Sequence, residues 1–88
     1  MDADRQVNSP PPRVLLISRP GCHLCDEARA VVARVCAEAG AAWQERLTTQ
    51  DPVLAAEYAE YVPVVLVDGR SHAYWRIDPE RLRARLLT

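Results

Sequence analysis

The apolar run RVLLIS, Arg13 to Ser18, is broken at once by Arg19-Pro20-Gly21, and from Cys22 the hydrophobic period becomes helical. That handover constrains the fold more than any other feature of the chain. A short continuous run of branched residues reads as a buried strand. Ala28, Val31, Val32, Val35, Cys36 and Ala39 then fall on one helical face, with Glu27, Arg34 and Glu38 opposite. Gly40 suits the left-handed position that ends a helix. AAWQERL follows, and Ala42 to Leu47 reads as a second strand. Strand, long helix and strand make a βαβ unit, and the right-handed crossover makes its strands parallel neighbours.

The remaining elements follow from caps and turns. Asp51-Pro52 is an N-cap with proline at the first helical position, opening a short helix to about Glu60 with Val53, Leu54 and Tyr58. Val64 to Val67 is a continuous apolar strand. Asp68-Gly69 signals a hairpin turn, and Ala73 to Ile77 reads as the returning strand. Asp78-Pro79 repeats the cap-plus-proline start, with Leu82, Leu86 and Leu87 as the apolar face of the last helix. The order is β-α-β-α-β-β-α. It implies an α/β domain with a four-stranded mixed sheet and helices on both faces. Residues 1–12, ending Pro10-Pro11-Pro12, read as a disordered tail, leaving residues 13–88 as one domain.

Charge narrows the partners. All 11 basic residues are Arg, and the formal net charge is −1. That balance gives no long-range attraction to nucleic acid or an anionic membrane, and neither is expected as a partner. No run is long enough to span a bilayer, and the first residues lack a signal-peptide core. The expectation is a cytoplasmic monomer.

The chemistry concentrates at Cys22 and Cys25, at the exit of the first strand and the first turn of the helix. Free N–H groups and the positive end of the helix dipole meet there, and both favour a thiolate. Three-residue spacing brings the sulfurs within bonding reach. Cys25 continues the buried stripe that begins at Ala28, whereas Cys22 sits at the loop exit. The expected roles are Cys22 as exposed nucleophile and Cys25 as shielded resolving thiol. Arg19 and His23 are the candidate thiolate-tuning residues. Two other readings of the pair stand beside this one: small packed hydrophobes, or half of a metal site. Only His23, His72 and Cys36 could complete such a site. Cys36 lies eleven positions beyond Cys25, ~16 Å along the helix, and reads as core. No metal is assigned.

With these residues in view, SRPGCHLC resembles the active-site segment of glutaredoxins, within the thioredoxin superfamily, and the element order matches over residues 13–88. The chain is similar to short bacterial glutaredoxin-like proteins with an RPGCHLC-type motif. The resemblance implies a thioredoxin fold and dithiol exchange through Cys22 and Cys25. It matches Arg19 to the basic residue preceding the pair, and Val62-Pro63 to the valine–cis-proline that faces the disulfide. Val62 and Pro63, with Gly21, Leu24 and Tyr61 beside them, are the candidate substrate-binding residues.

The departures are equally specific. Tyr61 stands where glutathione-binding members usually have threonine. Tyr74, Trp75 and Arg76 replace the Gly-Gly pair whose backbone receives the γ-glutamyl end of glutathione. Asp78 reads as a helix cap, and Trp43 and Trp75 as packing residues, with Tyr61 and Tyr74 beside Val62. The functional expectation is a thiol–disulfide oxidoreductase with no built-in cofactor. Its partner is a disulfide-containing protein or a small thiol, with glutathione or another low-molecular-weight thiol as a candidate co-substrate. The alternatives are a redox-sensing or partner-docking module with little turnover, and a metal or iron–sulfur site at the CxxC pair.

Overall fold

A computed structural model describes residues 12–88. The tail expected at residues 1–12 lies, apart from Pro12, outside them. The elements are β1 (Val14–Ser18), α1 (His23–Ala39), β2 (Trp43–Leu47), a 3-10 turn (Thr48–Gln50), α2 (Pro52–Tyr58), β3 (Val64–Val67), β4 (Arg70–Tyr74) and α3 (Pro79–Leu86). The sheet order is β2-β1-β3-β4. β1 runs parallel to β2, from Val14 opposite Trp43 to Ser18 opposite Leu47. β3 is antiparallel to both β1 and β4. This is the mixed four-stranded α/β arrangement expected from the sequence.

The apolar strands are continuous because alternate residues serve two cores. Val14 and Leu16 of β1, with Val65 and Val67 of β3, face Ala28, Val32, Val35 and Cys36 of α1 and Leu82 and Leu86 of α3. Ile17 and Val64 face the other way, toward Cys22, Cys25 and Val62, and Leu54 and Tyr58 of α2 pack against that cluster. Each fully buried Val, Leu or Ile stabilises the fold by about 1.5–3 kcal/mol.

The caps are those the sequence implied. Gly40 is left-handed, at φ 68°. The Asp51 side chain accepts from the Val53 and Leu54 N–H groups, and Asp78 from those of Glu80 and Arg81. Two apolar residues depart from expectation: Val53 and Leu87 are exposed. Leu54 with Tyr58, and Leu82 with Leu86, form the i, i+4 pairs that face inward. Val53 and Leu87 each lie one position, about 100°, away.

The returning strand is also corrected. It spans Arg70–Tyr74 rather than Ala73 to Ile77. Asp68 and Gly69 both have positive φ, 52° and 82°, which closes a two-residue turn and starts pairing immediately with Val67 opposite Arg70. The polar Arg70 and Ser71 are tolerated because β4 is the sheet's edge. The register shifts between Val65–Ala73 and Leu66–Ser71, so His72 is the extra residue of a bulge. Trp75, at φ 63°, ends the strand.

Candidate active site

Gly21 supplies the turn into α1, with φ 70°. Cys22 follows as the N-cap, extended at φ −101° and ψ 116°. Its Sγ accepts a hydrogen bond from the Cys25 N–H at 3.2 Å. A cysteine sulfur thus occupies the place of the usual capping oxygen, against one of the helix's free N–H groups. The Cα atoms of Cys22 and Cys25 are 5.1 Å apart and the two sulfurs are at disulfide distance.

The two cysteines differ in access. Cys25 is fully enclosed, whereas Cys22 retains 8% exposure. Cys22 is the more accessible of the pair, but it too is buried, so the expectation of an exposed thiol is corrected. Its packing with Ile17, Val62 and Val64 closes most of its surroundings.

Val62 and Pro63 lie between α2 and β3, and the bond joining them is cis. Both residues are buried, in the same region as the cysteines. Leu24 packs at the edge of that cluster. With Ala28, Val31, Trp75 and Ile77 it also lines a cavity of about 280 Å³, rimmed by Glu27, Arg76 and Asp78. Arg19 is exposed on the loop before Gly21. His23 is 90% exposed at its side chain, with Nε2 3.8 Å from Glu27 Oε2. Among the described residues, the hydrogen bond to Cys22 Sγ comes from the helix backbone, and neither Arg19 nor His23 donates to it.

Tyr61 and Tyr74 are exposed beside Val62, and Trp75 joins them. Trp75 is 51% exposed, so the expectation of a packing residue is corrected, whereas Trp43 does pack against the main core. The ring centroids of Tyr61 and Tyr74 lie 5.4 Å apart, those of Tyr61 and Trp75 6.1 Å, and those of Tyr74 and Trp75 6.3 Å. Trp75 Nε1 donates to the Glu60 carbonyl at 3.3 Å. A positive φ is costly for a bulky side chain, on the order of 1–3 kcal/mol, so this tryptophan is held against its own backbone preference.

A second group was not foreseen from the sequence. The Arg29 guanidinium donates from Nε and Nη2 to the two Glu45 oxygens, each at 2.7 Å, and from Nη1 to Asp26 at 2.8 Å. The buried Ser18 hydroxyl also donates to Glu45. The Arg29 hydrogen bonds hold the Glu45 carboxyl below its ordinary range, with partial burial opposing them and the Ser18 bond assisting. The group fixes the turn of α1 after Cys25 to β1 and β2. Its members are distant in sequence, and only the alternation of β2 hints that Glu45 points inward.

Cys36 is a free, buried thiol whose pKa burial pushes up. His72 is half-buried on the bulge, its pKa lowered first by burial and then by Arg81 and Arg85. Among the described residues, no three His, Cys, Asp or Glu side chains converge on a point that could hold a metal ion. A metal on Cys22 and Cys25 would need ligands from elsewhere.

This sheet, with a cysteine pair capping its first helix and a cis proline beside it, defines a glutaredoxin-like protein of the thioredoxin superfamily. Residues 13–87 match the family model Glutaredoxin-like domain (DUF836), and the chain belongs to that family. The uncharacterized protein Rv0508 of Mycobacterium tuberculosis is 38% identical over 78 residues, covering 83% of this chain and 80% of its own. The crystal structure of target protein XcR50 from X. campestris is 35% identical, with a TM-score of 0.68 over 83% of this chain and 93% of that one. The thioredoxin-like protein BC3987, solved as a point mutant, shares the fold at 18% identity, with a TM-score of 0.60 over 84% of this chain and 96% of its own. No helix among the described residues is long and apolar enough to cross a membrane.

Proposed function

We propose that the protein is a thiol–disulfide oxidoreductase working through Cys22 and Cys25. The observation that carries this reading is the inequality of the pair: Cys22 Sγ caps the helix and keeps some access, while Cys25 is sealed behind it. The helix N-terminus favours negative charge on the capping sulfur. The Cys22 thiolate attacks one sulfur of a substrate disulfide and expels the other as a thiolate. The resulting mixed disulfide brings Cys22 Sγ within reach of Cys25. The Cys25 thiolate then attacks Cys22 Sγ and releases the second substrate thiolate. The substrate disulfide gains two electrons, and the protein ends as the Cys22–Cys25 disulfide. Two equivalents of a low-molecular-weight thiol, glutathione among the candidates, return it to the dithiol. This cycle suits a reducing cytoplasm.

A second reading follows from the 8% exposure of Cys22, which favours slow turnover and a redox-sensing or docking role. One experiment tests both. Reduced wild type, Cys22→Ser and Cys25→Ser are mixed with hydroxyethyl disulfide, and products are followed by mass spectrometry. The exchange reading expects wild type to oxidise internally, Cys25→Ser to accumulate an adduct on Cys22, and Cys22→Ser to remain unreacted. First attack at Cys25, or no reaction at all, would sink it. Oxidation without catalytic turnover on an insulin substrate supports the sensing role.

A further inference from the structure

We infer that Tyr61, Tyr74 and Trp75, with Glu57 and Glu60, form a docking site for a cationic, Arg- or Lys-bearing segment of a protein disulfide substrate. The inference names a substrate class for the proposed exchange reaction and rests on that reading. Three aromatic side chains, 42%, 40% and 51% exposed, lie together on the surface. A lone exposed aromatic is ordinary, but three in mutual contact make a patch that marks an interaction surface. Trp75 is held there at φ 63°, where glycine would sit without strain.

The patch is continuous with the exchange site. Tyr61 precedes the buried Val62 that packs with Cys22, and the Trp75 N–H donates to the Pro63 carbonyl at 2.7 Å. Trp75 also lines the cavity beside Leu24. A chain lying along Val62 therefore meets the aromatic rings next.

Charge selects the occupant. On the Tyr61 side the rings border a concavity of about 410 Å³ lined by Ala55, Ala56, Glu57, Ala59, Glu60 and Tyr61. It has two carboxylates and no basic side chain. Neither Glu57 nor Glu60 is ion-paired among the described residues. Arg76 lies toward the Leu24 cavity, where Glu27 and Asp78 accompany it. Guanidinium and ammonium groups are attracted to aromatic faces, and an adjacent carboxylate strengthens that preference. Glutathione, with a net negative charge near neutral pH, is the poorer electrostatic match to the Glu57–Glu60 side.

The test reads binding without exchange. The oxidised 88-residue protein is titrated by calorimetry with two disulfide-free peptides, acetyl-Gly-Arg-Leu-Arg-Gly-amide and the same peptide with Glu for Arg. The arginine peptide is expected to bind about tenfold more tightly and to weaken as salt is raised. Trp75→Gly and the double variant Glu57→Gln/Glu60→Gln should each remove the preference, and Trp75→Phe should retain it. Circular dichroism checks folding. If Trp75→Gly fails to fold, the exposed glutamate double variant still decides the matter. Equal affinity for the two peptides, preference for the acidic one, no binding, or a preference surviving the glutamate double variant overturns the inference. Exchange with hydroxyethyl disulfide is measured separately, so failure of the redox reading leaves the peptide titration to decide docking.

Discussion

The backbone N–H of Trp75 donates to the carbonyl of Pro63 at 2.7 Å, tying the end of the hairpin to the segment that enters β3 beside the cysteines. Trp75 thereby joins the wall of the candidate site while its backbone sits at φ 63°. Glycine accepts that conformation and alanine does not. Trp75→Gly is therefore expected to be more stable than Trp75→Ala by about 1 kcal/mol. Urea unfolding of the two variants measures the difference. Equal midpoints with equal slopes would show that the loop relaxes out of the left-handed region when the ring is removed.

Cysteine reactivity should follow access. Cys22 is the more accessible thiol of the pair, Cys25 is enclosed, and Cys36 is enclosed with its pKa raised by burial. In the reduced, folded protein at neutral pH, iodoacetamide is expected to label Cys22 first and to leave Cys36 untouched until denaturant is added. Peptide mapping after a time course reads the order. Early labelling of Cys36 would contradict the enclosed position in α1.

The Arg29–Glu45 pair makes stability depend on acid. Glu45 has its pKa lowered in the folded protein, chiefly by the Arg29 hydrogen bonds. Unfolding returns it to the ordinary carboxylate value near 4.3. The folded state binds fewer protons between the two values, so the stabilisation is complete above about pH 4.3 and is lost as pH falls through the lower folded value. At pH 7, Glu45→Gln should be less stable than wild type by about 2 kcal/mol, and the gap should shrink toward pH 3. Urea midpoints across that range test the sign. A gap that widens in acid would show that the pair does not act through ionised Glu45.

Local rules carried much of the architecture. Gly40, Asp51-Pro52 and Asp78-Pro79 mark helix ends through backbone chemistry that needs no tertiary partner, and the change of period at Cys22 placed the pair on the βα junction. What was not legible depends on contacts between distant segments. The returning strand read as Ala73 to Ile77 because Arg70 and Ser71 are polar, yet on an edge strand they need bury only part of one face. Trp75 read as packing because tryptophan usually is. Its exposure is set by the bulge at His72 and by the Pro63 hydrogen bond, and neither leaves a periodic trace. The Arg29–Glu45 bridge joins a helix to a strand across the sheet, where charge pattern alone names no partner.

The cap of α3 also separates a structural acid from a ligand-binding one. Asp78 Oδ1 accepts from the Glu80 N–H at 2.9 Å and the Arg81 N–H at 3.4 Å. These bonds fix the start of the helix that delivers Leu82 and Leu86 to the main core. Asp78→Ala should lower stability by about 1 kcal/mol, whereas Asp78→Asn, which keeps an accepting oxygen, should lose only a fraction of that. Chemical denaturation gives the stability, and the single-turnover rate with hydroxyethyl disulfide gives a separate measure of exchange. A purely capping role predicts that Asp78→Asn restores both quantities together. Restored stability with a persistently slow rate would instead place the Asp78 charge in the reaction, through the cavity it shares with Leu24 and Trp75.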